Sequence, residues 1–196
     1  CASELFEPEM ALHAFERRLT DDTKLVVCNH VSNVFGYILP IERIAEACRA
    51  RGVPFIVDAS QSAGVCEIDF ERIGADFICM PGHKSLYGPQ GTGLLLCARL
   101  PKSLMQGGTG SQSALAQMPD TLPDRAEAGT HNMPGIAGLR AGLEFVEKKN
   151  PKKIFAHEHS LMEYAAGELT RLDRVRVFVS EYGFCQRGVL SITVAK

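Results

Sequence analysis

The stretch Lys24 to Gln61, KLVVCNHVSNVFGYILPIERIAEACRARGVPFIVDASQ, decides the fold. Lys24 to Cys28 reads as a buried strand that opens into the polar segment Asn29-His30-Val31-Ser32-Asn33. Pro40 to Arg51 has helical spacing, with proline near the first turn, Ile41, Ile44, Ala45 and Cys48 on one side, and Gly52 as the stop. Pro54 to Val57 is a second strand and ends in Asp58-Ala59-Ser60-Gln61. Strand, helix and strand of these lengths make a βαβ unit, so the sheet is expected to be largely parallel.

The pattern extends in both directions. Ile68 to Gly74 reads as a short helix, and Asp76 to Cys79 as a third strand that delivers Pro81-Gly82-His83-Lys84. The segment Met80 to Gly93, MPGHKSLYGPQGTG, then turns at Gly91-Thr92-Gly93 into a fourth apolar strand, Leu94 to Ala98. Upstream, Pro8 to Thr20 offers Met10, Leu12, Phe15 and Leu19 to one helical face before Asp21-Asp22. Residues 101 to 133 are rich in Gly, Ser, Gln and Pro, and so long an irregular stretch is usually functional or disordered. Helical character returns at Pro134 and, past Asn150-Pro151, runs to about Leu172. Val175 to Val179 and Val189 to Val194 read as strands around a Tyr182-Gly183 turn, the beginning of a second sheet. The expected organisation is a large domain over 1–133, then linking helices and a partial C-terminal domain over 134–196.

Composition narrows the class. An apolar share of 45% and a charged share of 22% are ordinary for a globular protein, and a formal charge of −2 supplies no general attraction to nucleic acid or a membrane surface. No apolar run approaches the roughly 20 residues that span a bilayer. The first residues, CASELFEPEM, lack the basic start and apolar segment of a secretory signal. Seven cysteines form no CxxC pair, and several sit in apolar runs, so a disulfide-free, cytoplasmic protein is expected.

The polar groups fall at strand ends: His30 and Asn33, then Asp58 and Gln61, then His83 and Lys84. In a parallel sheet these carboxyl ends share one edge, where ligands bind. A lysine amine becomes a nucleophile when desolvation or a neighbouring cation lowers its pKa. A buried aspartate, a lysine amine and a phosphate-compatible loop together point to pyridoxal 5'-phosphate (PLP), with Lys84 holding its aldehyde as a Schiff base and Asp58 keeping the pyridine nitrogen protonated. Each residue also has a plainer reading. Lys84 as a solvated loop lysine, Asp58 as a turn or cap residue and His83 as a local cap are all common roles. His30 is open to a structural or a site reading. His157 and His159 do not share a helical face, so no metal pair is expected. GPQGTG precedes a strand, against a dinucleotide fingerprint, and His83 stands where a P-loop requires glycine.

With these residues placed, the chain resembles the class V aminotransferase family of fold-type I PLP enzymes, particularly its cysteine desulfurase-like branch. The resemblance runs from about Leu25 to Phe145 through His30-Val-Ser-Asn33, Val57-Asp58-Ala-Ser-Gln61, Gly82-His83-Lys84, Gly88-Pro-Gln-Gly-Thr-Gly93, Gly107-Gly-Thr-Gly-Ser111 and Glu127-Ala-Gly-Thr130. It implies an α/β fold: a mostly parallel sheet with flanking helices, followed by the beginning of a small α+β domain. It implies that Lys84 is the Schiff-base lysine and moves the substrate Cα proton, and that Asp58 pairs with the pyridine nitrogen. Gln61 would bond the phenolic oxygen, His83 would contact the phosphate, and Asn33 would lie beside the cofactor and the substrate carboxylate. Thr130 would reach the phosphate of a partner subunit's cofactor, which implies a homodimer with residues 101 to 133 facing its interface.

The departures shape the functional expectation. Pro81 stands where many relatives place a phosphate-binding serine, and His30 is not the family's ring-stacking histidine. The family's phosphate loop and its persulfide-cysteine loop have no counterpart here, and Cys185 is not assigned the persulfide role. The chain is therefore expected to be the middle and early C-terminal portion of a longer enzyme, a fragment or a degenerate copy. The implied activity is cysteine desulfuration, L-cysteine to L-alanine with sulfur passed to an enzyme thiol and on to an acceptor protein. Alternatives are an aminotransferase, another PLP lyase such as selenocysteine lyase, or a non-catalytic remnant that keeps the fold and a dimer surface.

Overall fold

The computed structural model describes residues 7–109, 111–112, 114–181 and 185–195. Cys1, Gly110 of the glycine run and the Tyr182-Gly183 turn lie outside the described residues.

Pro8 begins α1 (Pro8–Glu16) at a position where its missing N–H leaves no helical bond unmade, and Leu12 is buried from its inner face. Helix α2 (Ile41–Ala50) buries Ile41, Ile44, Ala45 and Cys48, the stripe its spacing predicts. Helix α3 (Phe70–Ile73) is shorter than expected: Asp69 Oδ1 accepts from the Arg72 N–H at 3.0 Å and starts the helix late, while Gly74, at φ 66°, ends it.

Strands β1 (Val26–Asn29), β2 (Phe55–Asp58), β3 (Phe77–Pro81) and β4 (Gly93–Cys97) form one sheet in that order. The first two pairings are parallel and β3 pairs with β4 antiparallel. The largely parallel expectation holds, and β4 reverses because no helix crosses over between Pro81 and Gly93. Phe55 and Val57 alternate inward along β2, and register places Val57 beside Ile78. Fully burying side chains such as Phe55, Ile44 and Ile78 stabilises the fold by about 1.5–3 kcal/mol each. On the other face of β1, Val27 is 64% exposed.

After the irregular 101–132 stretch, Asn132 Oδ1 accepts from Gly135 N–H at 3.0 Å and caps α4 (Met133–Lys149). Leu139 of α4 packs into the same core as the sheet. Asn150, at φ 70°, breaks the helical path and caps α5 (Pro151–Thr170), its Oδ1 accepting from Lys152 N–H at 2.9 Å. Strands β5 (Val175–Phe178) and β6 (Ser191–Val194) pair antiparallel, with α5 against β5. Strand β6 begins two residues later than its apolar run suggests, because the Val189 carbonyl accepts from Gln186 Nε2 instead of joining a ladder. No described helix is long and apolar enough to cross a membrane.

Candidate active site

Parallel register brings the three strand ends to one edge. Asn29 lies opposite Asp58, and Asp58 opposite Cys79. The ladder continues one residue past the strands, where His30 N–H donates to Asp58 O at 2.9 Å and Ala59 N–H to Cys79 O at 2.8 Å. Above this edge is a cavity of about 330 Å³. Asn29, Val31, Ser32, Asn33 and Tyr37 line it from the first strand end, Asp58, Ser60 and Gln61 from the second, and Lys84 from the third.

Lys84 is held by a turn pinned at several points. Gly82 N–H donates to Thr92 O at 2.8 Å, Gly88 N–H to Gly82 O at 2.8 Å, and Tyr87 N–H to Lys84 O at 3.0 Å. Two glycines let neighbouring segments close on it. A Cβ at Gly64, where φ is 85°, would stand 2.1 Å from Ser85 O, and one at Gly142 would stand 2.2 Å from Leu86 O. The lysine-bearing turn is therefore clamped between the segment after Gln61 and helix α4, with Lys84 itself exposed toward the cavity.

Asp58 combines its two sequence readings. Its Oδ1 accepts from Ser60 N–H at 2.8 Å, the turn role. Its Oδ2 has no hydrogen bond among the described residues and is left for the cavity. The carboxylate is half-buried, less enclosed than the sequence reading expects, because the cavity opens beside it. Ser32 Oγ accepts from the N–H groups of Val34 and Phe35, each at 3.2 Å, and this turn leaves Asn33 exposed at the rim. Lys84, Asp58 and Gln61 around a single small cavity fit the ring of PLP: an amine to condense with its aldehyde, a carboxylate for its protonated nitrogen, and an amide for its phenolic oxygen.

Other residues do not join this lining. His83 and Thr130 are exposed and outside it. His30 is buried and turned to a different, largely apolar cavity of about 540 Å³, shared with Ile38, Val65 and Phe155. It fits neither reading cleanly, since its buried Nδ1 has no hydrogen-bond partner. Burial pushes the His30 pKa down to about 4. Burial also pushes Cys28 and Cys66 up to about 11 and raises Cys48, Cys79, Cys97 and Cys185, so none of these thiols is poised as a thiolate nucleophile.

Sequence reading passed over Tyr37, Ser60, Ser85 and Arg187. Arg187 is buried at 8% exposure and its guanidinium reaches Ser85, Gln61 and Glu158. The available signal was an arginine beside a glutamine at the start of an apolar run, Gln186-Arg187-Gly-Val-Leu, where a charge has to be paired to be tolerated.

The class V aminotransferase family model matches residues 7–196. A probable cysteine desulfurase of Xylella fastidiosa is 36% identical over 173 residues, 85% of this chain and 41% of that protein. One from Methanothermobacter thermautotrophicus is 32% identical over 187 residues, 91% of this chain and 46% of that protein. Among solved structures, the apo cysteine desulfurase of Thermococcus onnurineus superposes with a TM-score of 0.78 at 30% identity, over 96% of this chain and 47% of its own. A cysteine desulfurase from Escherichia coli in its S-sulfonic acid form has a TM-score of 0.79 at 24% identity, over 94% of this chain and 46% of its own, a likeness of fold. The chain thus spans less than half the length of these relatives. Matched from residue 7 to residue 196, and alike in fold to solved cysteine desulfurases, the chain belongs to the class V aminotransferase family.

Proposed function

We propose that the protein to which this chain belongs is a PLP-dependent cysteine desulfurase, and that this chain carries the half of the site that grips the cofactor ring. The observation that supports this most is the convergence of Lys84, Asp58 and Gln61 on one cavity from three strand ends. Members of the family depend on PLP, which when bound supplies an aldehyde that condenses with amines and a pyridinium ring that accepts electrons from the substrate Cα. Lys84 Nζ would anchor the cofactor and then take and return the Cα proton. Asp58 Oδ2 would hold the proton on the ring nitrogen, so that the positive ring draws electrons. Gln61 would donate to the phenolic oxygen, Asn33 would orient the substrate carboxylate from the rim, and His83 would contact the phosphate.

In the net reaction L-cysteine and a protein thiol become L-alanine and a persulfide. The sulfur leaves the substrate Cβ for the thiol sulfur, and the thiol proton ends on the product. The raised pKa values of the described cysteines support a sulfur-accepting thiol other than these. A cytoplasmic homodimer is the proposed assembly, with Thr130 reaching the partner's cofactor. Exposed Leu104, Met105 and Leu115 on the irregular stretch support an interface there. The proposed division remains a large domain over 1–133, with linking helices and part of a small domain over 134–196.

The test is incubation with PLP, borohydride reduction and peptide mapping. Cofactor mass on Lys84 is the expected result, and its absence would sink the PLP reading of this chain. Sulfide release from L-cysteine by the whole protein supports the desulfurase; keto-acid formation in its place assigns an aminotransferase.

A further inference from the structure

The Arg187 guanidinium is fully engaged. Its Nε–H donates to Glu158 Oε2 at 3.1 Å, Nη1 to the Gln61 carbonyl and to Gln61 Oε1 at 3.2 Å, and Nη2 to Ser85 Oγ at 2.7 Å and Glu158 Oε1 at 3.5 Å. Its N–H groups only donate. The side-chain atom of Gln61 that faces Arg187 must therefore be the carbonyl oxygen, because the amide nitrogen would set donor against donor. With Oε1 and the backbone carbonyl of Gln61 both taken, Nε2 is the polar atom left for the cavity that Gln61 shares with Asp58 and Lys84.

We propose that Arg187 is a positioning residue which, by donating to Gln61 Oε1, fixes the amide with its N–H donors toward the cavity and at the same time ties the Lys84 turn down through Ser85. The site then presents a donor to an anionic oxygen of its ligand, a choice that an unrestrained glutamine would not make. The inference rests on the PLP reading for the identity of that oxygen, the phenolate. It assigns the C-terminal segment a part in the cofactor site although Arg187 itself is not among the cavity lining.

The test compares wild type, Arg187→Met, Arg187→Lys and Gln61→Glu, each loaded with PLP and titrated through its visible absorption band. A lost donor destabilises the phenolate, so in Arg187→Met the pH midpoint of the band is expected to rise by about 0.5–1 unit. Arg187→Lys, which keeps a donor, should restore part of the shift. Gln61→Glu keeps an acceptor for Arg187 and so folds without a lost partner, yet offers the cavity no donor, and its midpoint should rise at least as far. In a Gln61→Ala background, Arg187→Met should add no further shift, because the effect passes through Gln61. An additive shift, or an unmoved midpoint, overturns the proposal. A second readout needs no cofactor: amide hydrogen exchange should quicken across 61–63 and 84–87 in Arg187→Met, and unchanged exchange there overturns the proposal as well. If PLP does not label Lys84 in the wild type, the cofactor reading falls, and exchange alone decides whether Arg187 holds Gln61 and the lysine turn.

Discussion

Arg187 Nη2 donates a 2.7 Å hydrogen bond to Ser85 Oγ, joining residues 102 positions apart in the chain. Ser85 follows the candidate catalytic lysine, and Arg187 opens the segment leading into the last strand, so one buried guanidinium ties the lysine turn of the first sheet to the C-terminal segment. Glu158, on α5, balances its charge at 3.1 Å. A charge at this depth is tolerable because all its donors meet acceptors.

Ser85→Ala removes one charge-assisted hydrogen bond and leaves the rest of the Arg187 set. A loss of about 1–2 kcal/mol is expected from urea unfolding. Glu158→Ala should cost more, about 2–4 kcal/mol, because it strands a buried positive charge. Equal costs for the two would argue that the guanidinium finds water in place of Glu158.

Gln186 has no exposed surface, and its amide serves four backbone groups: Nε2 donates to Phe35, Phe178 and Val189 carbonyls and Oε1 accepts from Ser180 N–H. Gln186→Leu removes all four hydrogen bonds at once. Destabilisation of about 3–5 kcal/mol is expected, with amide exchange at Ser180 and beside Phe35 rising first. Protection unchanged at both places would refute the link between the second sheet and the 32–36 turn.

Two helical glycines should respond oppositely to alanine. At Gly142 a Cβ meets the Leu86 carbonyl at 2.2 Å, so Gly142→Ala must push α4 off the lysine turn and is expected to cost about 1–3 kcal/mol. At Gly167 a Cβ meets nothing within 4 Å, and Gly167→Ala should stabilise by about 0.5–1 kcal/mol. Thermal unfolding of the pair measures both, and a matching sign would remove the argument for close approach.

His30 makes stability depend on pH. Burial lowers its pKa from 6.5 to about 4, so the unfolded chain takes up a proton that the folded chain refuses. Its contribution is fully present above about pH 6.5 and is lost as pH falls toward 4, a change of about 3 kcal/mol. Glu42, Glu67, Arg72 and Lys152 line the same cavity, but they pair as Arg72 with Glu42 at 2.9 Å and Lys152 with Glu67 at 3.0 Å. His30→Phe should flatten the acid limb of a urea-midpoint titration while matching or exceeding wild type at neutral pH. A variant that loses stability in parallel with wild type from pH 7 to 4 would show that His30 is not the group responsible.

The helical stripe Ile41, Ile44, Ala45, Cys48, the strand Phe55 to Asp58 and the turn glycines were legible in the linear order, because periodicity and backbone preference are local properties. Lys84, Asp58 and Gln61 were legible for a related reason: parallel strands place successive carboxyl ends on one edge, so sequence position predicts spatial neighbourhood. What the linear order could not carry was direction and pairing. His30 and Asn33 stand three residues apart and serve different cavities, since the 32–36 turn rotates the chain between them. Arg187 meets Gln61 across 126 positions, and that contact exists only after α4 and α5 have folded the C-terminal segment back over the lysine turn. The sequence by itself brought Lys84, Asp58, Gln61 and Asn33 to one sheet edge, while the places of Tyr37, Ser60, His83, Thr130 and Arg187 were decided by the fold. Tertiary structure alone decided which way Gln61 faces, because only in the folded molecule does a donor stand beside one end of its amide.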